Sequence, residues 1–180
     1  MTFCKNYVEE ALAPYKGDPN VLGFFSDNEI NFSSNSSRIL DRFLAISNSS
    51  DPAYVAAKAF MDSKGTQSVT DDLNNEFAGI VAEKYYKAVK EAVKKVDDKL
   101  LYLGTRLHGT PKYMEGVVRA AGKYCDVISI NYYSRWSPEL TTAIADWANW
   151  ADKSFLVSEF YTKGVEDSDL NNQSGAGYSV

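Results

Sequence analysis

At 180 residues, 44% of them hydrophobic and including 12 Tyr, 9 Phe and 3 Trp, the chain has the size of one domain and enough apolar surface to bury a core, so disorder is not the default. A net charge of -5 without any basic stripe argues against nucleic acid or an anionic membrane surface as a partner. Cys4 and Cys125 make neither a disulfide framework nor a zinc spacing, no apolar run approaches the ~20 residues of a membrane span, and no secretory signal is visible.

In chain order, residues 3–13 carry Phe3, Tyr7, Val8, Ala11 and Leu12 at helical spacing, and Gly17-Asp18-Pro19-Asn20 turns the chain into an apolar strand at 21–26. A polar loop at 31–37 precedes a helical stretch with Ile39, Leu40, Phe43 and Leu44 on one face. Asp51-Pro52 predicts a helix start, because Asp accepts from orphan N–H groups and Pro has none to lose; Gly65 ends that helix. Thr70-Asp71-Asp72 opens the longest helix, with acids at its front and Lys90, Lys94 and Lys95 at its back, as the helix dipole favours. A strand at 100–104 follows, then a helix opening at Thr110-Pro111 with Met114, Val117, Val118 and Ala121 on its buried face. The strand 126–133, a helix from Ser137-Pro138-Glu139 to about Ala151, and the strand 154–160 complete the pattern before a polar, Gly/Ser/Asn-rich tail at 164–180. Helix and strand alternate, so the expected fold is α/β with about four parallel strands and flanking helices. A closed (β/α)8 barrel needs eight strands and about 250 residues.

Two glutamates stand out because each follows a near-continuous apolar run: Glu29 after 21–26 and Glu159 within Val157-Ser158-Glu159. The carboxyl ends of parallel strands are where barrels and open α/β sheets keep their chemistry. Two carboxylates facing one cleft are the minimum equipment for glycoside hydrolysis.

The segments 20–29 (ending Asp27-Asn28-Glu29), 101–108 (ending Arg106-Leu107-His108), 126–133 and 157–161, with Gly175-Ala176-Gly177, resemble the retaining β-glycosidases of glycoside hydrolase clan A and, more closely, the β-agarases of glycoside hydrolase family 50. The resemblance implies a single domain over 1–180 that forms a partial TIM (β/α)8 barrel, corresponding to strands four to seven. It further implies Glu29 as general acid/base, Glu159 as nucleophile, and Asn28 as a donor to the 2-hydroxyl of the sugar being cleaved. The implied substrate is a galactose-containing oligo- or polysaccharide, and the chemistry needs no metal or cofactor. A truncated product of a larger gene and a half-barrel that pairs with a second copy both account for the missing strands.

Tyr133 is expected to donate to Glu159, with Tyr132 as rival because neighbours on a strand face opposite ways. Asn131, Arg106 and His108 are candidate sugar contacts on the loop side of the sheet, and Trp136 is a candidate stacking platform. Trp147 and Trp150 fall within a helix and are expected to pack in the core. Asp27 is expected to be structural, and Asp167 and Asp169 solvated. Two rival readings stay open: a catalytically inactive partial barrel that at most binds carbohydrate and self-associates through open sheet edges, and a β-galactosidase of the same clan.

Overall fold

The computed structural model describes residues 2–34, 36–133 and 143–160. Its helices are α1 (Thr2–Leu12), α2 (Ile39–Leu44), α3 (Pro52–Lys64), α4 (Asp71–Val96), α5 (Glu115–Tyr124) and α6 (Ala143–Ala151). Its strands are β1 (Gly23–Phe24), β2 (Leu101–Tyr102), β3 (Ile128–Asn131) and β4 (Phe155–Glu159). The molecule is therefore mixed α/β with short parallel strands, in the order the sequence pattern predicts.

The capping residues behave as their chemistry requires. Asp51 accepts from the Ala53 amide at 2.8 Å with Pro52 in the first turn, and Gly65 closes α3 at φ 64°. Thr70 accepts from the Leu73 amide at 3.2 Å and starts α4. The helix expected to open at Thr110-Pro111 is instead divided into a 3-10 turn at Thr110–Tyr113 and α5. Both halves of the bond that would have joined them are engaged elsewhere. The Lys112 carbonyl accepts from Trp147 Nε1 at 2.7 Å, and the Gly116 amide donates to Asn75 Oδ1 at 3.0 Å. The start expected for the last helix, at Ser137-Pro138-Glu139, lies outside the described residues.

β1 runs parallel to β2, and β3 to β4. Among the described residues the two pairs are joined by a parallel bridge, Leu107 to Ile130, and by the bond from the Asp126 amide to the Tyr102 carbonyl at 2.9 Å. The strands are shorter than the apolar runs suggested because the backbone leaves the ladder early: Gly104 sits at φ 79° and Arg106 at φ 53°. Cross-strand bonds continue past that point, from the Ser26 amide to the Gly104 carbonyl and from the Glu29 amide to the Thr105 carbonyl, both 2.9 Å.

The core lies between α4, α5, α6 and the sheet, with Phe77, Tyr86, Tyr102, Ile128, Ile130 and Trp147 fully enclosed. Trp147 meets the rings of Tyr132 and Phe155 at 6.0 and 5.7 Å, and Trp150 packs at the core margin. α4 and α5 approach backbone to backbone. A Cβ on Gly116 would stand 2.4 Å from the Asn75 carbonyl oxygen, so only glycine permits this crossing. β3 is buried along its whole length, whereas β1 and β4 are half-buried.

Candidate active site

Asn131, the last residue of β3, is fully buried, and its Nδ2 donates to Glu29 Oε1 at 2.8 Å and to Glu159 Oε2 at 3.2 Å. Those two oxygens therefore lie no further apart than the two distances laid end to end, about 6 Å. The same nitrogen is 3.4 Å from Asn28 Oδ1. Asn28, Glu29, Asn131 and Glu159 thus converge on one point at the carboxyl ends of β1, β3 and β4.

A bulge explains how Glu159 reaches that point. Ile130 lies beside Val157, yet Asn131 lies beside Glu159, so Ser158 is an extra residue with no partner on β3. In a regular strand Val157 and Glu159 would share a face. The inserted Ser158 turns Glu159 onto the face of Asn131, as bulges do where a side chain must be re-aimed. Ser158 Oγ donates to Asn131 Oδ1 at 2.9 Å.

The two carboxylates have different surroundings. Glu159 forms an ion pair with Arg106 Nη2, which also approaches the Ser158 carbonyl at 3.5 Å. The Arg106 guanidinium lies over the Phe25 ring at 5.5 Å, while its Nε is buried with no hydrogen-bond partner among the described residues. Among the described residues no arginine pairs with Glu29. His108 Nδ1 stands 3.8 Å from its Oε1, beyond hydrogen-bond reach, and the His108 ring meets Tyr133 edge-on at 5.6 Å. Lys112 lies beneath, 6% exposed, its Nζ donating to the Asn131 carbonyl at 3.0 Å and facing the rings of Tyr113 and Tyr132. Burial lowers the Lys112 ammonium from its ordinary range, and the nearby Glu29 charge works the other way. Asp27 accepts from Tyr85 Oη, and burial raises its carboxyl above the usual range.

Both Glu29, at φ 60°, and Arg106, at φ 53°, are non-glycine residues in the left-handed region. Strained backbone of this kind clusters at functional sites. A separate cavity of about 790 Å³ lies at the opposite end of the sheet, between residues 16–22 and 94–100, far from the glutamates. In parallel sheets ligands bind at the carboxyl ends of the strands, so the side-chain cluster, and not that cavity, marks the site.

No protein-family model and no curated protein matches the chain. Solved structures do. BpGH50 is 58% identical over 98% of this chain, with a TM-score of 0.87. The chain is related to the glycoside hydrolases of family 50. The agarase AgWH50C is 25% identical over 98% of the chain, with a TM-score of 0.69, and an exo-beta-agarase at 23% identity and a TM-score of 0.72 shows the shared fold. The chain spans 40% of the length of BpGH50 and 27% of that of AgWH50C.

The structure brings together most residues singled out in the sequence, but not always in the expected company. Arg106, read as a sugar contact, is the residue paired with Glu159; Tyr133, read as the donor to Glu159, meets His108. Tyr132 is buried against Trp147. Trp136, Asp167 and Asp169 lie outside the described residues. Lys112 and Ser158 were missed. Lys112 sits in a turn where lysine usually faces water, and a bulge leaves no mark in an apolar alternation.

Proposed function

We propose that Glu29 and Glu159 are the acid/base and nucleophile of a retaining, agarase-like glycoside hydrolase, carried on four consecutive strands of a (β/α)8 barrel. The observation that supports it best is the single Asn131 nitrogen shared by both carboxylates. Carboxyl groups about 5–5.5 Å apart belong to retaining enzymes and about 6.5–9.5 Å to inverting ones; two carboxylates bridged by one amide nitrogen are close enough for a retaining pair.

Glu159 attacks the anomeric carbon as the leaving oxygen takes the proton of Glu29, giving a glycosyl-enzyme ester. Glu29 then removes a proton from water, which displaces Glu159 and releases the sugar with its original anomeric configuration. The two roles need opposite protonation states at one pH. The asymmetry of their contacts supports this division: a guanidinium contacts Glu159, while Glu29 receives the amide of Asn131 and has His108 nearby. Asn28 is suited to hold the 2-hydroxyl, with His108 and Tyr133 flanking the sugar. The relation to family 50 and to an enzyme named as an agarase supports a galactose-containing polysaccharide as substrate.

The half-burial of β1 and β4, against the full burial of β3, favours a second reading for the 180-residue chain alone. Here the isolated chain binds carbohydrate without turning it over, because further strands are needed to enclose the substrate. The test is release of reducing ends from agarose, porphyran and β-galactosides by this chain and by a full-length parent, each with Glu159→Gln and Glu29→Gln. In the parent, Glu159→Gln should abolish turnover while substrate still binds, and Glu29→Gln should cost about 10²–10⁴-fold. Unchanged turnover in Glu159→Gln would overturn the proposal.

A further inference from the structure

We propose that Asn131, held by Ser158, is a positioning residue that sets the two glutamates relative to each other, one amide nitrogen holding both carboxylates and the bulge hydroxyl holding the other end of the amide. This rests on the reading of Glu29 and Glu159 as a catalytic pair.

Asn131 has no freedom to move. Its amide donates to the Leu107 carbonyl at 2.9 Å, and its carbonyl receives Lys112 Nζ at 3.0 Å. The side chain is enclosed, so its carboxamide must be satisfied from within. A carboxamide presents an acceptor at one end and two donors at the other, and the two ends are almost the same shape. With Oδ1 turned toward Glu29 and Glu159, an acceptor would face two acceptors. The two carboxylates, which only accept, therefore select Nδ2, and Ser158 Oγ, 2.9 Å from Oδ1, satisfies the carbonyl end of the amide. Nδ2 is left with two divergent hydrogens and three acceptors, of which the two shortest contacts, 2.8 and 3.2 Å, are the carboxylates, and the third is Asn28 Oδ1 at 3.4 Å.

The choice of an amide has a chemical consequence. A cation between the glutamates would hold both as anions, whereas a neutral donor fixes their positions and still allows one to carry a proton. The bulge serves both ends of this arrangement, since the residue that turns Glu159 toward Asn131 is the one whose hydroxyl holds Asn131.

The test uses the 180-residue chain with 13C at the glutamate side-chain carboxyls, assigned through Glu29→Gln and Glu159→Gln, and follows both resonances through a pH titration. Arg106 on Glu159, His108 near Glu29, and Lys112 face the pair in every variant and stay constant. Asn131→Ala should move both midpoints to higher pH by about one pH unit, the loss of one hydrogen bond to each anion. Ser158→Ala should move both the same way by less, and Ser158→Thr, which keeps the hydroxyl, should restore them. Midpoints that stay in place in folded Asn131→Ala, or a shift of one glutamate only, would overturn the inference. If Asn131→Ala does not fold, the contrast between Ser158→Ala and Ser158→Thr decides alone, and equal midpoints in the two would overturn it. Hydrolysis separates this inference from the reading it rests on. Shifted midpoints with turnover indifferent to Glu159→Gln would sink the glycosidase and leave the positioning device. Lost turnover with fixed midpoints would do the reverse.

Discussion

Arg106 offers the sharpest test of the site's energetics, because its charge, its packing and its backbone strain can be separated. Arg106→Gln removes the charge-assisted bond to Glu159, which contributes about 1.5–3 kcal/mol when made by a charged group, and the contact with Phe25, worth about 0.5–1 kcal/mol at an exposed site. The side chains of Arg106 and Glu159 are 26% and 33% exposed, so solvent screens the pair toward the low end of that range. Gln keeps the left-handed backbone strain, so that contribution cancels in the comparison. The expected loss is about 2 kcal/mol, read as a lower urea midpoint with an unchanged slope, with circular dichroism and Trp fluorescence giving coincident transitions. The decisive quantity is the double-mutant cycle with Glu159→Gln. If the ion pair carries the loss, the two substitutions should be non-additive by about 1–2 kcal/mol, well above the ~0.5 kcal/mol scatter of independent sites. Additivity within that scatter would refute the pairing and return Arg106 to the role of a sugar contact.

Two further outcomes follow from groups away from the glutamates. Burial alone would raise the Asp126 carboxyl, but Lys90, the Tyr102 amide and Lys94 outweigh it and bring it down to about 2 from 3.8. A lowered carboxylate contributes its stability above its unfolded value and loses it as pH falls from about 4 through about 2. The shift converts to about 2.5 kcal/mol in full, and the 24% exposure of the side chain reduces this to about 1–2 kcal/mol. Asp126→Asn should therefore be less stable by that amount at pH 7 and close to wild type near pH 2; an equal gap at both pH values would show that the loss is not electrostatic. Cys4 is exposed, while Cys125 is buried and its thiol is pushed up to about 12, chiefly by burial. At pH 8 a disulfide reagent should titrate one thiol per native chain and two in denaturant, and two fast thiols in the native chain would contradict the packing around Cys125.

Where local chemistry decides the outcome, the sequence was legible. Asp51 with Pro52, Gly65, and Thr70 each determine a helix end through one side chain or one φ value, and each end falls where those residues put it. The placement of Glu29 and Glu159 at one end of the sheet was legible for a similar reason, since both follow a buried strand. What could not be read depended on partners distant in sequence. The break before α5 requires Trp147 and Asn75 to take the two groups a continuous helix would have paired. Lys112 is buried because Asn131, Tyr113 and Tyr132 enclose it, and nothing in Thr110-Pro111-Lys112-Tyr113 announces that. The pairing of Arg106 with Glu159 spans 53 positions and depends on a positive φ that few would assign to arginine.

The site is built from departures from regular strand geometry, and their placement argues that they are tied to it. Among the described residues, three that are not glycine adopt the left-handed region, at a cost of about 1–2 kcal/mol each. Asp152 is accounted for by helix termination, because its amide bonds to the Ala148 carbonyl at 3.1 Å just past α6, where left-handed residues are common. Glu29 and Arg106 have no such local cause. Both are pinned across the sheet, the Glu29 amide by the Thr105 carbonyl and the Arg106 amide by Ser129 Oγ, each at 2.9 Å. Ser129 Oγ in turn donates to the Leu103 carbonyl at 2.6 Å. The third departure, the Ser158 bulge, turns Glu159 onto the face of Asn131. Regular geometry would leave Glu159 on the face of Val157, away from Glu29. The strain and the bulge are thus confined to the end of the sheet where the carboxylates meet, and the hydrogen bonds that hold them there come from neighbouring strands, so the convergence of the two glutamates is a property of the β1–β4 sheet itself.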